Sequence, residues 1–347
     1  FDAVNGVNRT NLARLLPNGQ VDPTFTFPLA AGEDGQLSAL AVQPDGKILI
    51  AGPVIGNGNQ LFQLVRLFPD GSVDPAFTPE LGDDYYLTAI AVQTDGRVLV
   101  AGRADGMSGV FRLESNGARD GTFTTEVNEF SNLYVLRVLP DGRVLLGGTF
   151  AAVNGESRPG LARLNTDGSL DTGFVPASVQ WATDVVVQPD GELLVIGGIE
   201  QNGELVYGGL ARLNPDGSPD AGLQPNAHWV DALALQPDGK ILIGGSFCSV
   251  AGMQAELLAR LNPDGTFDDT FNPDPGRWSC EDFGVRRIVV QPDGGIVIAG
   301  SFNQFEGERR GGLARLHSGL PVSGLFVTRS LSRGSETVMA QLIATVW

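Results

Sequence analysis

The chain has 347 residues, with 40 acidic against 23 basic side chains and a formal net charge of −17. That balance argues against nucleic acid or an anionic membrane surface as a partner. Two histidines and two cysteines starve the usual zinc and histidine-dependent hydrolytic sites, and no apolar run approaches the length of a membrane-spanning helix.

Residues 1 to 28 read as the second half of a unit that then recurs along the chain, Phe1 aligning with Phe150 and Phe247. Complete copies begin near Leu37, Leu87, Leu133, Ala182, Val230 and Val285. A period of about fifty residues marks a stack of supersecondary units, none of which buries its apolar face alone.

Each copy holds two hairpins. The first closes an apolar pair, such as Ala39–Gln43 with Lys47–Ala51, at a Pro-Asp-Gly-type turn whose Asp stands at 45, 95, 141, 190, 238 and 293. The second follows an Ala-Arg-Leu-type strand and has its Gly at 19, 71, 117, 168, 217 and 265. Proline presets the first turn residue, Asp suits the next, and Gly takes the left-handed position that closes the hairpin. The runs between are rich in Val, Ile, Leu and Ala and too short for helices, and the innermost suit burial on both faces.

Four short antiparallel strands per copy predict an all-β fold, a β-propeller of about seven four-stranded blades. Six blades are complete. The seventh is completed by the termini, with residues 1–326 as the propeller. Residues 327–347, where Thr337–Val346 is strand-like, either close the last blade or open a following β-domain.

The second turn sets a register. With Thr166-Asp167-Gly168 as the loop, Arg163 faces Asp171, and the same arithmetic sets Arg14 against Asp22, Arg66 against Asp74, Arg212 against Asp220 and Arg260 against Asp268. An Arg–carboxylate pair is expected in nearly every unit, worth less than about 1 kcal/mol each if exposed.

The motifs VQPDGK-(I/L)-LIGG-F and GLARLNPDGS-D--F together resemble the bacterial delta-sixty repeat family, over roughly Phe1 to Leu316. The resemblance implies a propeller of unknown function found in surface or secreted bacterial proteins, and no activity.

In a blade, the loops joining second to third strands emerge on the face opposite the Asp-Gly turns. Cys248 falls in such a loop and Cys280 in the blade-to-blade insertion Asp274–Gly284, so a disulfide is expected to pin that insertion; two separate thiols are the alternative. The loop Asn165–Asp171 has the oxygen spacing of the tail of a calcium loop, but Arg163 takes the first ligand position, so a plain hairpin and no metal are expected. No nucleophile elbow, phosphate loop or cofactor motif occurs. Acidic pairs such as Asp83-Asp84 and Glu281-Asp282 could serve glycoside chemistry, which needs two carboxylates at a set separation, though solvated loop acids are far commoner. Asn-Gly-x-x-Arg recurs at Asn5, Gly6, Arg9 and at Asn154, Gly155, Arg158, which suits loop fixing.

Counting seven residues back from the residue before each first turn gives Gln36, Tyr86, Asn132, Trp181, Trp229 and Gly284, at the mouth of the central channel, with Tyr85 and Trp278 nearby. Aromatic and amide side chains there suit a glycan or peptide platform, or else plug the funnel. The expectation is a non-catalytic binding or scaffolding module of an extracellular or cell-surface bacterial protein, part of a larger multidomain chain. Its candidate ligand residues are Tyr86, Asn132, Trp181, Trp229 and Trp278, and its expected partner is a protein or glycan. The alternative is a polysaccharide-active hydrolase or lyase using loop carboxylates.

Overall fold

A computed structural model describes residues 3–316, apart from 5, 10, 17, 29, 32–36, 56–60, 83–84, 105–106, 129–130, 224, 272, 274–283, 303, 306–307 and 310. The described residues form strands and turns and no helix. The first sheet joins Ala39–Val42, Ile48–Ile55 and Leu61–Leu67, with Ala30–Ala31 pairing the far end of the middle strand. The second runs Tyr85–Val92, Val98–Ala104, Met107–Leu113 and Arg119–Glu126. The third is Leu133–Val138, Val144–Gly148 and Leu161–Leu164; the fourth is Val179–Val187, Leu193–Gln201 and Glu204–Leu213. The fifth is Val230–Leu235, Ile241–Gly245 and Leu258–Leu261; the sixth is Val285–Val290, Ile296–Gly300 and Leu313–Leu316.

Most sheets therefore have three strands, where the repeat arithmetic predicts four. After the third strand the chain returns by one bridge, Leu67 to Val73, Leu164 to Leu170, Leu213 to Pro219 and Leu261 to Phe267, with Leu15 to Val21 in the N-terminal half-unit. The next residue is the Asp of the register above, and its own side chain stops the strand. Oδ1 of Asp74 accepts the Ala76 N–H, Oδ1 of Asp171 the Gly173 N–H, and Oδ1 of Asp268 the Thr270 N–H. A short polar side chain that bonds the backbone two residues on offers it a turn in place of the ladder. In the second sheet the same turn sits inside the strand as a bulge, and pairing resumes at Thr124 opposite Phe111. Gly109 makes room there, since a Cβ at that position would lie 1.9 Å from the Thr125 carbonyl oxygen.

The sheets stack face to face in chain order. Val135, Leu145 and Leu161 of the third share a core with Ala182, Leu193 and Val195 of the fourth, and Leu194, Ile196 and Leu210 of the fourth share one with Leu233 and Ile243 of the fifth. Leu12 and Phe25 of the N-terminal half-unit pack on Ile50 and Val65 of the first sheet. Each interface is apolar on both sides, so each unit seals its neighbour.

The second and third strands meet in two ways. In the fourth sheet they run straight to the tip, where Asn202 and Gly203 both take positive φ as in a two-residue hairpin loop. In the third, fifth and sixth sheets the second strand stops after its glycine, and a buried Phe150, Phe247 or Phe302 fills the break. A separate two-stranded tip follows, Ala152–Val153 with Glu156–Ser157 being one. The aromatic ring after Gly-Ser or Gly-Thr turns inward and forces the detour.

Candidate functional site

At the Asp-Gly end Arg14, Arg66, Arg163, Arg212 and Arg260 each centre a clasp, whereas Arg315 of the sixth sheet bonds Gln291 and Asp293 instead. The clasp Nε meets the returning Asp at 2.8 Å in Arg14–Asp22 and Arg66–Asp74, 2.7 Å in Arg163–Asp171 and Arg260–Asp268, and 2.5 Å in Arg212–Asp220. The guanidinium lies over a Phe ring, 4.6 Å from its centroid for Arg66 on Phe77, Arg163 on Phe174 and Arg260 on Phe271. Its Nη1 donates to the next unit: Arg66 to Ser115 O at 2.5 Å, Arg163 to Pro215 O at 2.5 Å, Arg212 to Pro263 O at 3.0 Å, and Arg14 to Pro69 O. One side chain thus ties its hairpin, its aromatic neighbour and the following unit.

A sixth clasp was not anticipated. Arg112 meets Asp120 at 2.7 Å, lies 4.8 Å over Phe123 and donates to Thr166 O at 2.7 Å. Its turn is Ser-Asn-Gly rather than Pro-Asp-Gly, yet the same count from Gly117 finds it. Only Arg14 keeps a third of its side chain in water; Arg66, Arg112 and Arg260 and their partners are buried. The figure for exposed pairs therefore does not apply to these three.

The aspartates are held in their charged form. Hydrogen bonds from the Thr122 hydroxyl and backbone, then from Arg112, bring Asp120 to about 2 against the opposing effect of burial. Burial alone would raise Asp268, but Lys240, Thr270 and Arg260 together hold it far below the ordinary carboxylate range. A second-strand cation supports several clasps: Lys47 lies 3.1 Å from Asp74, Arg143 3.0 Å from Asp171 and Lys240 2.6 Å from Asp268. In the fourth unit that place is Glu192, which bonds Arg212 at 3.1 Å instead. The calcium-like loop spends its ligands on itself, Oδ1 of Asp167 accepting the Ser169 N–H and hydroxyl.

At the opposite end, the channel-mouth residues are fixed by their carbonyls. The oxygens of Tyr86, Asn132, Trp181, Trp229 and Gly284 press on Gly102, Gly148, Gly197, Gly245 and Gly300, where a Cβ would lie 2.0–2.1 Å away. The inner strand then bulges by one residue in the second to sixth sheets, at Thr88, Tyr134, Thr183, Asp231 and Arg286.

Tyr86 and Trp229 are 59% and 61% exposed, and Asn132 is exposed. Trp181 is half-buried over Gly198 and meets Tyr207 at 5.4 Å between centroids, tilted by 52°. Tyr207, on the third strand of the fourth sheet, is itself 55% exposed and accepts the Trp229 N–H at its carbonyl, 3.1 Å away. Trp229 holds φ at 60°, a left-handed conformation that costs a bulky residue free energy. The fold therefore brings Trp181 and Trp229 together through Tyr207, while Tyr86 and Asn132 stand on the second and third sheets. Gln36, Asp83, Asp84, Trp278, Cys280, Glu281, Asp282 and 317–347 lie outside the described residues. Cys248 is disulfide-bonded. Arg158 donates to the Ser157 and Thr172 carbonyls at the tip of the third unit.

Below this rim the inner strands carry charges. Arg137 meets Asp184 at 3.5 Å and Arg286 meets Asp231 at 2.8 Å, each pair spanning two sheets. Burial raises Asp184 against the pull of Arg137 and Arg287, and raises Asp231 against Arg286 and Arg287.

A family model described as domain of unknown function (DUF5122) beta-propeller matches residues 1–25, 43–77, 93–123, 139–174, 188–222, 236–271 and 291–319, well over half of the sequence. The chain belongs to that DUF5122 propeller family. No curated protein matches it. Among solved structures it is similar to a catalytically inactive virginiamycin B lyase from Staphylococcus aureus with quinupristin, at 13% identity, covering 83% of this chain and 80% of that one with a TM-score of 0.47. It is similar to YCF48 bound to D1 peptide, at 15% identity over 82% and 79% of the two chains, TM-score 0.46. It is similar also to the PQQ-bound aldose sugar dehydrogenase of Streptomyces coelicolor, at 16% identity over 88% and 96%, TM-score 0.45.

The DUF5122 segments run from the first turn through the clasp. Tyr86, Asn132, Trp181 and Trp229 fall between them, as do Arg137, Asp184, Asp231, Arg286 and Arg287. The five charged residues went unnoticed in the sequence, where their signal was a charge inside otherwise apolar runs such as LYVLRV and VDALAL.

Proposed function

We propose that this chain is a non-catalytic carbohydrate-binding module, a seven-bladed propeller within a secreted or surface bacterial protein. The observation that carries the reading is the Trp181–Tyr207–Trp229 array, in which Tyr207 and Trp229 are exposed, Trp181 is half-buried, and Trp229 holds a strained backbone position. Flat aromatic faces beside hydrogen-bonding groups stack on sugar rings. Seven matched segments support seven blades, the last completed by residues 1–28 and 327–347. The bonded Cys248 supports an oxidising compartment, with Cys280 as its partner; mass measurement with and without reductant tests that pairing.

Glycan-array binding tests the rest. The native chain is expected to retain a neutral or acidic oligosaccharide, and Trp181→Ala with Trp229→Ala to lose it. Unchanged binding in the double variant discards this site. The second reading, a polysaccharide hydrolase or lyase, draws support from Asp184 and Asp231, two half-buried acids shifted upward on neighbouring inner strands. It requires turnover that disappears in Asp184→Asn.

A further inference from the structure

Among the described residues, Asn is followed by Gly at Asn18, Asn116, Asn154 and Asn202. That step is chemically fragile. The side-chain amide carbon of Asn lies within reach of the next backbone nitrogen, and a glycine there leaves the nitrogen unshielded by any Cβ. A fold restrains the reaction in two ways: a hydrogen bond on the glycine N–H ties down the attacking atom, and hydrogen bonds on the Asn amide hold the attacked carbon away. The turns at the clasp end use both. The Gly19 N–H donates to Leu16 O at 2.8 Å and the Gly117 N–H to Glu114 O at 2.9 Å. Oδ1 of Asn18 accepts the Gln20 N–H, and Oδ1 of Asn116 the Ala118 N–H, both at 3.0 Å.

Asn154 and Asn202 make a matched pair. Both stand at hairpin tips on nearly the same backbone, with φ of 50° and then 82° through Asn154-Gly155 and of 53° and then 81° through Asn202-Gly203. All four residues are exposed, and a Cβ on either glycine would meet nothing within 4 Å. Neither glycine N–H has a hydrogen-bond partner among the described residues. The two tips differ in the amide. Oδ1 of Asn154 accepts the Glu126 N–H at 2.9 Å, and its Nδ2 donates to Gly168 O at 3.2 Å. The Asn202 side chain makes no hydrogen bond among the described residues, so its carbon is free to approach the Gly203 nitrogen.

We propose that Asn202-Gly203 is a site of spontaneous deamidation, set apart from the other Asn-Gly steps by the fold. The Gly203 nitrogen attacks Cγ of Asn202, and the new C–N bond closes a five-membered succinimide. The side-chain amino group takes the proton from that nitrogen and leaves as ammonia. Water then opens the ring at either carbonyl, giving aspartate or isoaspartate. Only water is consumed. Either product adds a negative charge beside Glu204, and isoaspartate inserts a methylene into the turn that sets Gln201 opposite Glu204. The strand leaving that turn, Glu204–Leu213, carries Tyr207, so the altered residue lies on the hairpin of the aromatic rim. The modification itself does not depend on what the rim binds.

Peptide mapping by mass spectrometry tests this on the full chain, held in mildly alkaline buffer both folded and unfolded in urea. In the folded chain Asn202 is expected to exchange its amide for an acid about tenfold faster than Asn18, Asn116 or Asn154, with isoaspartate among the products. In urea the four should react at similar rates, because the restraining bonds are gone. Gly203→Ala should slow the reaction at position 202 and leave the other three unchanged. A folded chain in which Asn202 reacts no faster than Asn154 overturns the proposal. So does the same ranking in urea, which would assign the difference to local sequence. Product free of isoaspartate, or an undiminished rate in Gly203→Ala, also overturns it, since either bypasses the succinimide.

Discussion

At the Asp-Gly end of the sheets the Arg–Asp pair is built six times; at the tip end the rim residue changes from sheet to sheet, with only Trp181 and Trp229 alike. Both ends belong to the same strands, share the same register and lie within a few residues of the same cores. The difference lies in what each must accomplish. The clasp arginine reaches a carbonyl of the next unit in five of the six among the described residues, its Asp recurs in all six, and its Phe recurs in five, Leu223 standing there in the Arg212 unit. The rim touches nothing that the ring requires beyond a glycine opposite each carbonyl. Residues there are free to differ, and they do: Tyr86, Asn132, Trp181, Trp229, Gly284.

Acid should break the repeated end most severely, because all six clasps fail together. Their aspartates are lowered below 3.8 in the folded chain, so the stability they contribute is complete above that value and is lost as pH falls through the folded ones, about 2 for Asp120. Asp184 and Asp231 act in the opposite sense. They are raised in the folded chain, so protonating them first increases stability as pH falls towards 3.8. Melting curves from pH 7 to pH 2 should therefore pass through a maximum before collapsing, and the initial rise should vanish in Asp184→Asn with Asp231→Asn. A monotonic fall from neutrality would contradict the opposed shifts.

A single clasp separates buried from exposed versions of the same pair. Arg112→Ala leaves Asp120 buried with its main cation gone and should cost about 3 kcal/mol. Arg14→Ala, whose side chain is a third exposed, should cost less than about 1 kcal/mol. Urea titration of the two variants reads the difference directly, and equal losses would show that burial does not set the strength of the clasp.

The repeated end is the legible one because it is local. Arg163 and Asp171 are eight residues apart across one turn, so counting from Gly168 puts them face to face without knowledge of any other unit. Counting fails where distant chain segments converge. Arg137 and Asp184 come from two different sheets, as do Asp231 and Arg286, and no spacing within one unit brings them together. Counting also misses competition within a residue: Asp74 and Asp171 suit a fourth strand by position, yet their carboxylates bond the backbone two residues on and end it. Tyr207 escaped for a related reason. It belongs to a third strand, and only the straight tip of the fourth sheet carries it beside Trp181.

The glycines between the two ends sharpen the comparison. Gly197→Ala would drive a Cβ to within 2.0 Å of the Trp181 carbonyl oxygen, moving backbone, and should cost about 2 kcal/mol while displacing the rim. Gly203→Ala, at the neighbouring tip, meets nothing within 4 Å; only its φ of 81° opposes the change, at about 1 kcal/mol, and rim binding should survive.

The smallest expected effect has the opposite sign. Trp229 pays for its left-handed φ of 60° with little compensating burial, since the residue is 61% exposed. Trp229→Gly removes that strain and should raise stability by up to about 1 kcal/mol, even after allowing for the greater freedom of the unfolded chain. The same substitution removes the ring, so oligosaccharide binding should fall at least tenfold. A residue kept for packing would lose stability on truncation; one kept for a ligand gains stability and loses affinity. Thermal melts and calorimetry on this one variant distinguish the two, and a destabilised Trp229→Gly would return the rim to the structural end of the comparison.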